Sequence, residues 1–261
     1  MSTAIDFKKK TIAIITGASR GIGQKIAEEL SNKLCSNSKL LLVARSESGL
    51  KTTRELIVSA NENVVVETFS ADLSQPDIVR YNDIFDLSVT KASQYENAII
   101  FHNAGQIGEV SPTVDLTDLS CWRKYYDMNM FSMVLLNSVF VNKLKNVAKR
   151  LFVVNVTSLC GHKPFVNLGL YGSVKAARDL FFSVLAIEEP AVTVLKYSPG
   201  PVETDMYHEL VDNAKNEELK VQMKSTEALT TTQTVTKLIA ILENGRFKSG
   251  DLIDYFDVVP Q

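Results

Sequence analysis

Six short runs of apolar and β-branched residues recur along the chain, at 12–15, 40–44, 64–69, 98–101, 151–156 and 192–195. Most lack the in-out alternation of a half-solvated strand, as expected of parallel strands covered on both faces. Between them the apolar residues take helical spacing, which predicts helices over 24–30, 49–60, 120–149 and 171–187. A further helix near 232–242 and a strand near 252–256 close the chain. Strand and helix alternating in this way predict an α/β fold, a single doubly wound parallel sheet with helices on both faces and right-handed crossovers. Ser198-Pro199-Gly200-Pro201 must be a turn. Residues 203–230 are polar and weakly periodic, which predicts a flexible segment over a pocket. Too little chain follows the sixth strand for a separate substrate domain. One domain over 1–261 is expected, with substrate held by loops at the carboxyl edge of the sheet.

The first strand runs into Thr16-Gly17-Ala18-Ser19-Arg20-Gly21-Ile22-Gly23 and then into helical spacing. Strand, glycine turn and helix in that order leave free backbone N–H groups and the positive helix end beside residues without a Cβ. A pyrophosphate can approach there, as in a Rossmann-type three-layer sandwich. The spacing G-x-x-x-G-x-G differs from the common G-x-G-x-x-G, so a tight turn without ligand remains the competing reading. At the tip of the second strand, where the adenosine ribose lies in such folds, stand Arg45 and Ser46, with Arg20 close by in the glycine turn. Arginines suit the extra phosphate of NADP. Glu47 is a carboxylate of the kind NAD sites use, and the two arginines tip the reading to NADPH/NADP+. Asp72, at the end of the third strand before Leu73, is placed to meet the adenine amino group or to start a helix. Asn103-Ala104-Gly105 puts small residues at the carboxyl end of the fourth strand, where ligands sit.

Tyr171 and Lys175 are four apart on a predicted helix and share a face. An ammonium beside a phenol favours the phenolate and is expected to lower the tyrosine pKa from about 10. The phenol then becomes a workable proton donor to a carbonyl that receives hydride. Ser158, at the end of the fifth strand, can bond the same oxygen. Tyr-x-x-x-Lys alone recurs by chance on many helices, and the signal comes from its company.

Thr16-Gly17-x-x-x-Gly21-x-Gly23, Asn103-Ala104-Gly105, Asn129, Ser158, Tyr171-x-x-x-Lys175 and Pro199-Gly200 together resemble the motif set of the short-chain dehydrogenase/reductase superfamily, over essentially the whole chain. The resemblance implies that Asn129 holds a water relaying protons to Lys175. It implies cofactor contacts from Gly17 to Gly23, with Ser19 and Ile22 among them, from Arg45, Ser46, Asp72 and Leu73, from Asn103 to Gly105, from Tyr171 and Lys175, and from Val202, Thr204, Asp205 and Met206. Longer blocks, Ser158-Leu159-Cys160 with Pro164-Phe165, Lys175 to Pro190, Ser198 to Met206 and Phe247-Lys248-Ser249-Gly250, resemble the pterin-reducing branch of that superfamily. This implies NADPH-dependent reduction of pterin side-chain carbonyls, such as those of sepiapterin and 6-pyruvoyl-tetrahydropterin, with substrate contacts from Ser158, Tyr171, Gly200 and Asp254. A carboxylate accepts two parallel N–H donors of a 2-aminopyrimidinone edge. Asp251 and Asp257 stand on the same segment as alternatives. Three positions depart from the pattern: His102 replaces the usual asparagine, Thr157 a serine, and Leu168 an aromatic pocket residue. The first two are expected to lie off the proton path.

Composition narrows the remaining classes. A formal net charge of -2 over 261 residues gives no general reason to bind nucleic acid or an acidic membrane. Three cysteines and three histidines are scattered, so no metal site is indicated and a reducing, cytoplasmic setting is expected. No apolar stretch approaches the ~18 residues of a membrane span. The helices between Ser120 and Ile187 form subunit contacts in the superfamily, which implies a homodimer. A broad NADPH-dependent carbonyl or diketone (benzil-type) reductase is the alternative activity. A nucleotide sensor without turnover would have no use for Ser158, Tyr171 and Lys175 together.

Overall fold

The structure is a computed structural model, and it describes residues 3–89, 94–213 and 227–258. Seven strands are described: β1 (Thr11–Thr16), β2 (Lys39–Ala44), β3 (Val65–Ser70), β4 (Tyr95–His102), β5 (Ala148–Val156), β6 (Val192–Ser198) and β7 (Asp251–Asp254). They form one parallel sheet in the order β3-β2-β1-β4-β5-β6-β7. Strand order reverses between β1 and β4, so the glycine turn after β1 and Asn103 after β4 open side by side at the switch point of the sheet.

Alternate residues of the central strands enter opposite cores. Ala13 and Ile15 join Ile26, Leu30, Leu238 and Leu242 on one face, under α1 (Gly21–Ser31), α2 (Glu47–Ala60) and the last helix. Ile12 and Ile14 join Tyr81, Phe85, Phe140 and Phe182 on the other. Each such Ile, Leu or Phe contributes roughly 1.5–3 kcal/mol by leaving water, which is why uninterrupted apolar runs fold as central strands. A third cluster, Ile107, Tyr125, Leu168, Leu170, Tyr171 and Leu210, lies beyond the carboxyl edge and forms a floor for the site.

The helices depart from the expectation in three places. The segment expected as one helix over 120–149 is broken into α4 (Leu119–Tyr126), a π-helical turn (Asp127–Phe131) and α5 (Ser132–Leu144), and β5 begins at Ala148. Tyr126, Met130, Met133 and Val134 keep helical spacing across the π turn, so periodicity could not show it. Residues 78–88 form α3 (Ile78–Ser88), started by Asp77, whose carboxylate accepts from Val79 N and Arg80 N. Within the segment expected to be flexible, Asp205–Asn213 is a helix; 214–226 lie outside the described residues. In sequence order the remaining helices are α6 (Gly169–Glu188), α7 (Asp205–Asn213) and α8 (Thr231–Asn244). No helix among the described residues is long and apolar enough to cross a membrane.

Candidate active site

The glycine turn is built by close approach. Gly17 has φ 68°, and a Cβ on Gly23 would lie 2.3 Å from Gly17 O, so α1 starts hard against the turn. Asn103 locks that turn to β4: its N–H donates to Thr16 Oγ1 (3.0 Å) and its Nδ2 to Thr16 O (3.0 Å). Ala104 N donates to the same hydroxyl. Ser46, Asp77 and Asp118 cap α2, α3 and α4 with side-chain oxygens, and Thr230 with Gln233 caps α8. Arg20 at the N-cap of α1 offers no such bond, and the first turn carries no acidic residue. Its N–H groups and positive dipole end are left for an anion, which fits a pyrophosphate.

Around this turn sit several of the expected cofactor residues. Thr204 Cγ2 would be 3.5 Å from a Cβ on Gly21, and Gly49 at the start of α2 packs on Ser19. Arg20 and Asp205 form an exposed ion pair between the glycine turn and the start of α7. Arg45 is exposed at the end of β2, and its charge, with that of Arg80, reaches Asp72. Asp72 accepts from Ser74 N (3.0 Å), and those bonds hold its carboxyl below the usual range. Leu73 is buried beside it.

A cleft of about 340 Å³ opens on this edge, lined by Ile22, Ser158, Tyr171, Gly200, Val202, Thr204, Met206 and Asp254, with Leu159, Phe165, Leu168 and Leu210 supplying apolar wall. Of the three acidic candidates on the last strand and the turn after it, Asp254 is the one that lines the cleft among the described residues. Its Oδ1 accepts from Phe256 N (3.0 Å). Asp251 accepts from Lys248 N, and Asp257 accepts from Asp254 N, so both close turns.

Ser158 starts a short 3-10 turn (Leu159–Gly161), its Oγ accepting from Cys160 N (3.2 Å). That leaves its hydroxyl hydrogen to donate, to Tyr171 or to a ligand oxygen. Tyr171 and Lys175 lie one turn apart on α6, with Nζ 5.5 Å from the phenol ring centre. The expected lowering of the tyrosine pKa is reversed: burial pushes the phenol well above its ordinary value, with the Ser158 bond pulling the other way. Burial and the nearby Arg178 also depress Lys175, to about 7, and its Nζ donates to Val156 O (2.9 Å). Each group is penalised for carrying charge in a low dielectric, and the neutral O–H form of Tyr171 is favoured. That is the form a proton donor needs.

Asn129 is buried in the π turn. Its Oδ1 accepts from Gln106 N (2.8 Å), its Nδ2 donates to Tyr125 O (3.0 Å), and its carbonyl accepts from Arg178 Nη1 (3.3 Å). Both side-chain groups thus bond the backbone. Sequence reasoning missed Arg178 itself. Fully buried, it also donates to Asn155 Oδ1 (2.6 Å from Nη2) and to His102 O (2.8 Å). The His102 side chain is held neutral by burial and by Arg178, its pKa lowered to about 3. The signal for Arg178 was a charged pair, Arg178-Asp179, on a helix whose neighbouring turns are largely apolar.

Comparison with known proteins identifies the family. The short chain dehydrogenase family profile matches residues 11–215. Sepiapterin reductase of Rattus norvegicus is 32% identical over 255 residues, covering 95% of this chain and 97% of that protein. Sepiapterin reductase of Xenopus tropicalis is 36% identical over 257 residues, covering 94% and 96%. A solved putative short chain dehydrogenase from Escherichia coli CFT073, complexed with NADPH, shares the fold with a TM-score of 0.79 at 20% identity, covering 97% of this chain and 99% of that one. With its glycine turn, its strand-end serine and its paired tyrosine and lysine on one helix, the chain belongs to the short-chain dehydrogenase family.

Proposed function

We propose that this oxidoreductase is an NADPH-dependent carbonyl reductase whose substrates are pterins carrying a side-chain ketone, of the sepiapterin and 6-pyruvoyl-tetrahydropterin type. One observation carries the reading: Ser158, Tyr171 and Asp254 line the same cleft. A carboxylate suits the paired N–H donors of a pterin ring, and two hydroxyls in the same cleft suit a ketone oxygen. Full-length relatives named for sepiapterin reduction support the same choice.

The residues present fit the cofactor. The uncapped start of α1 and the glycine turn would hold its pyrophosphate, Arg20 and Arg45 the ribose phosphate, and Lys175 the nicotinamide ribose. When bound, NADPH supplies hydride. Tyr171 donates its hydroxyl proton to the carbonyl oxygen, and Ser158 bonds that oxygen and holds it. Lys175, in its charged form, stabilises the phenolate left behind. Leu159, Phe165 and Leu168 keep water from the reacting carbon. Scattered free cysteines suit a cytoplasmic setting. The exposed apolar side chains Phe131, Leu180, Val184 and Ile187, on or next to α5 and α6, suit a homodimer.

The test is NADPH oxidation with sepiapterin and with an aromatic diketone. Tyr171→Phe is expected to cut kcat at least ~100-fold while NADPH still binds. Asp254→Ala is expected to raise KM for sepiapterin about tenfold or more and to leave the diketone KM unmoved. Turnover of the diketone alone by the unaltered protein would instead favour a broad diketone reductase.

A further inference from the structure

We propose that Asp179 is a positioning residue for Ser158: its carboxylate, one helical turn beyond Lys175, holds the chain on both sides of the serine. Tyr171, Lys175 and Asp179 fall at four-residue steps on α6 and so form one stripe of hydroxyl, amine and carboxylate. Asp179 is 3% exposed. Its Oδ2 accepts from Thr157 Oγ1 (2.7 Å), the residue before Ser158, and lies 2.7 Å from His162 Nε2, at the end of the short turn that Ser158 begins. Its Oδ1 accepts from Asn155 Nδ2 (2.9 Å), two residues further back on β5. Three anchors at 155, 157 and 162 thus bracket Ser158 and tie it to the helix that carries Tyr171 and Lys175.

A carboxylate in a dry site must be fully bonded to stay there, and these partners meet that need without a direct ion pair to Arg178. Asn155 bridges the two, accepting from Arg178 with its Oδ1 and donating to Asp179 with its Nδ2. Thr157, expected to lie off the reaction path, is one of the anchors. The arrangement couples the distance between the two hydroxyls that must meet one carbonyl oxygen to a single group. A displacement of about 1 Å in such a pair costs on the order of 100-fold in rate.

The charged and titratable groups around the carboxylate are His162 on the following turn, and Lys175, Arg178 and Tyr171 on its own helix. Cys160 is coupled to Lys175 and Tyr171, and Lys196 on β6 reaches Ser183 one turn on. The Asp179 charge raises the Lys175 pKa against burial and Arg178. Removing it therefore lowers Lys175 further, and the alkaline fall in rate, where Lys175 loses its proton, moves to lower pH.

The inference rests on the carbonyl-reductase reading and is tested on the full chain with NADPH and whichever carbonyl the unaltered protein reduces best. Asp179→Asn is expected to lower kcat about 10- to 100-fold, to leave NADPH affinity within about twofold, and to move the alkaline limb down by about one pH unit. His162→Ala is expected to lower kcat about three- to tenfold, and His162→Gln, which keeps a donor near the Nε2 position, to restore most of it. If Asp179→Asn does not fold, the alanine and glutamine pair at His162 decides. A fall in Tm with kcat and pH profile unmoved would make Asp179 a structural residue and overturn the proposal, as would equal kcat in both His162 variants. If the unaltered protein reduces no carbonyl, the function reading fails separately. Crystal structures then judge the inference: an unmoved Ser158 in the Asp179 variant, or in His162→Ala should that variant alone fold, overturns it and a displaced one supports it.

Discussion

Two strand ends meet at the cleft, and they are held by opposite means. At the end of β1 the cradle is backbone: Gly17 and Gly23 bring chain against chain, and the nearby charges, Arg20 and Asp205, are 73% and 66% exposed. At the end of β5 the site is made of side chains, with Lys175, Arg178 and Asp179 all buried within one turn of α6. The difference follows from the ligand part each end serves. An anion bound by N–H groups needs side chains out of the way, whereas a proton donor needs a low dielectric and partners that fix it. The β1 end is therefore sensitive to added atoms, and the β5 end to removed ones.

The largest effect is expected at the β5 end. Arg178→Leu would strip donors from Asn155 Oδ1 and from the carbonyls of His102 and Asn129, and would leave Asp179 without a nearby guanidinium. Uncompensated buried charge and unpaired acceptors of this kind cost about 3–5 kcal/mol. Urea unfolding should read that loss. A variant as stable as the parent would show that the buried polar cluster is dispensable and would erase the contrast between the two ends.

That cluster also marks where the sequence stopped being informative. The five central strands were visible because parallel strands covered on both faces must be apolar along their length, and the glycine turn because its requirement is local. Asp254 was reached through the resemblance, and its place in the cleft depends on β7 pairing with β6. The bonds from Asp179 to residues 155, 157 and 162 join a helix to a strand and its following turn, and no spacing rule encodes them. The π turn was hidden because Tyr126, Met130, Met133 and Val134 keep helical spacing across it, and α7 because its sequence is polar. The raised Tyr171 pKa was missed for a related reason: the effect of Lys175 was weighed, but burial, which only the fold reveals, is larger.

A smaller effect is expected at the β1 end. Gly23→Ala places a methyl 2.3 Å from Gly17 O, a backbone atom that cannot swing aside. Overpacking of this kind costs roughly 1–3 kcal/mol, and the turn must open to relieve it. NADPH titration should therefore show weaker binding together with lower stability. Weaker stability with unchanged binding would mean that the cradle tolerates displacement, contrary to the close-approach account.

The smallest effect separates cradle from charge. Arg20→Ala removes an exposed ion pair with Asp205, and such pairs contribute about 0–1 kcal/mol, less as salt rises. Stability should hardly change. Affinity should, because the same guanidinium is the nearest cation in the glycine turn to the expected ribose phosphate, and Arg45 supplies the second. NADPH binding is expected to weaken several-fold, about 1 kcal/mol, and NADH binding to stay put, since a charge-assisted bond to a phosphate is lost only where that phosphate exists. Asp205→Asn should act in the opposite direction, freeing Arg20 from its carboxylate and tightening NADPH slightly. If both variants weaken NADPH and NADH equally, the pair works as a mechanical tie between the glycine turn and α7, and the exposed charges at this end serve shape, as the buried ones do at the other.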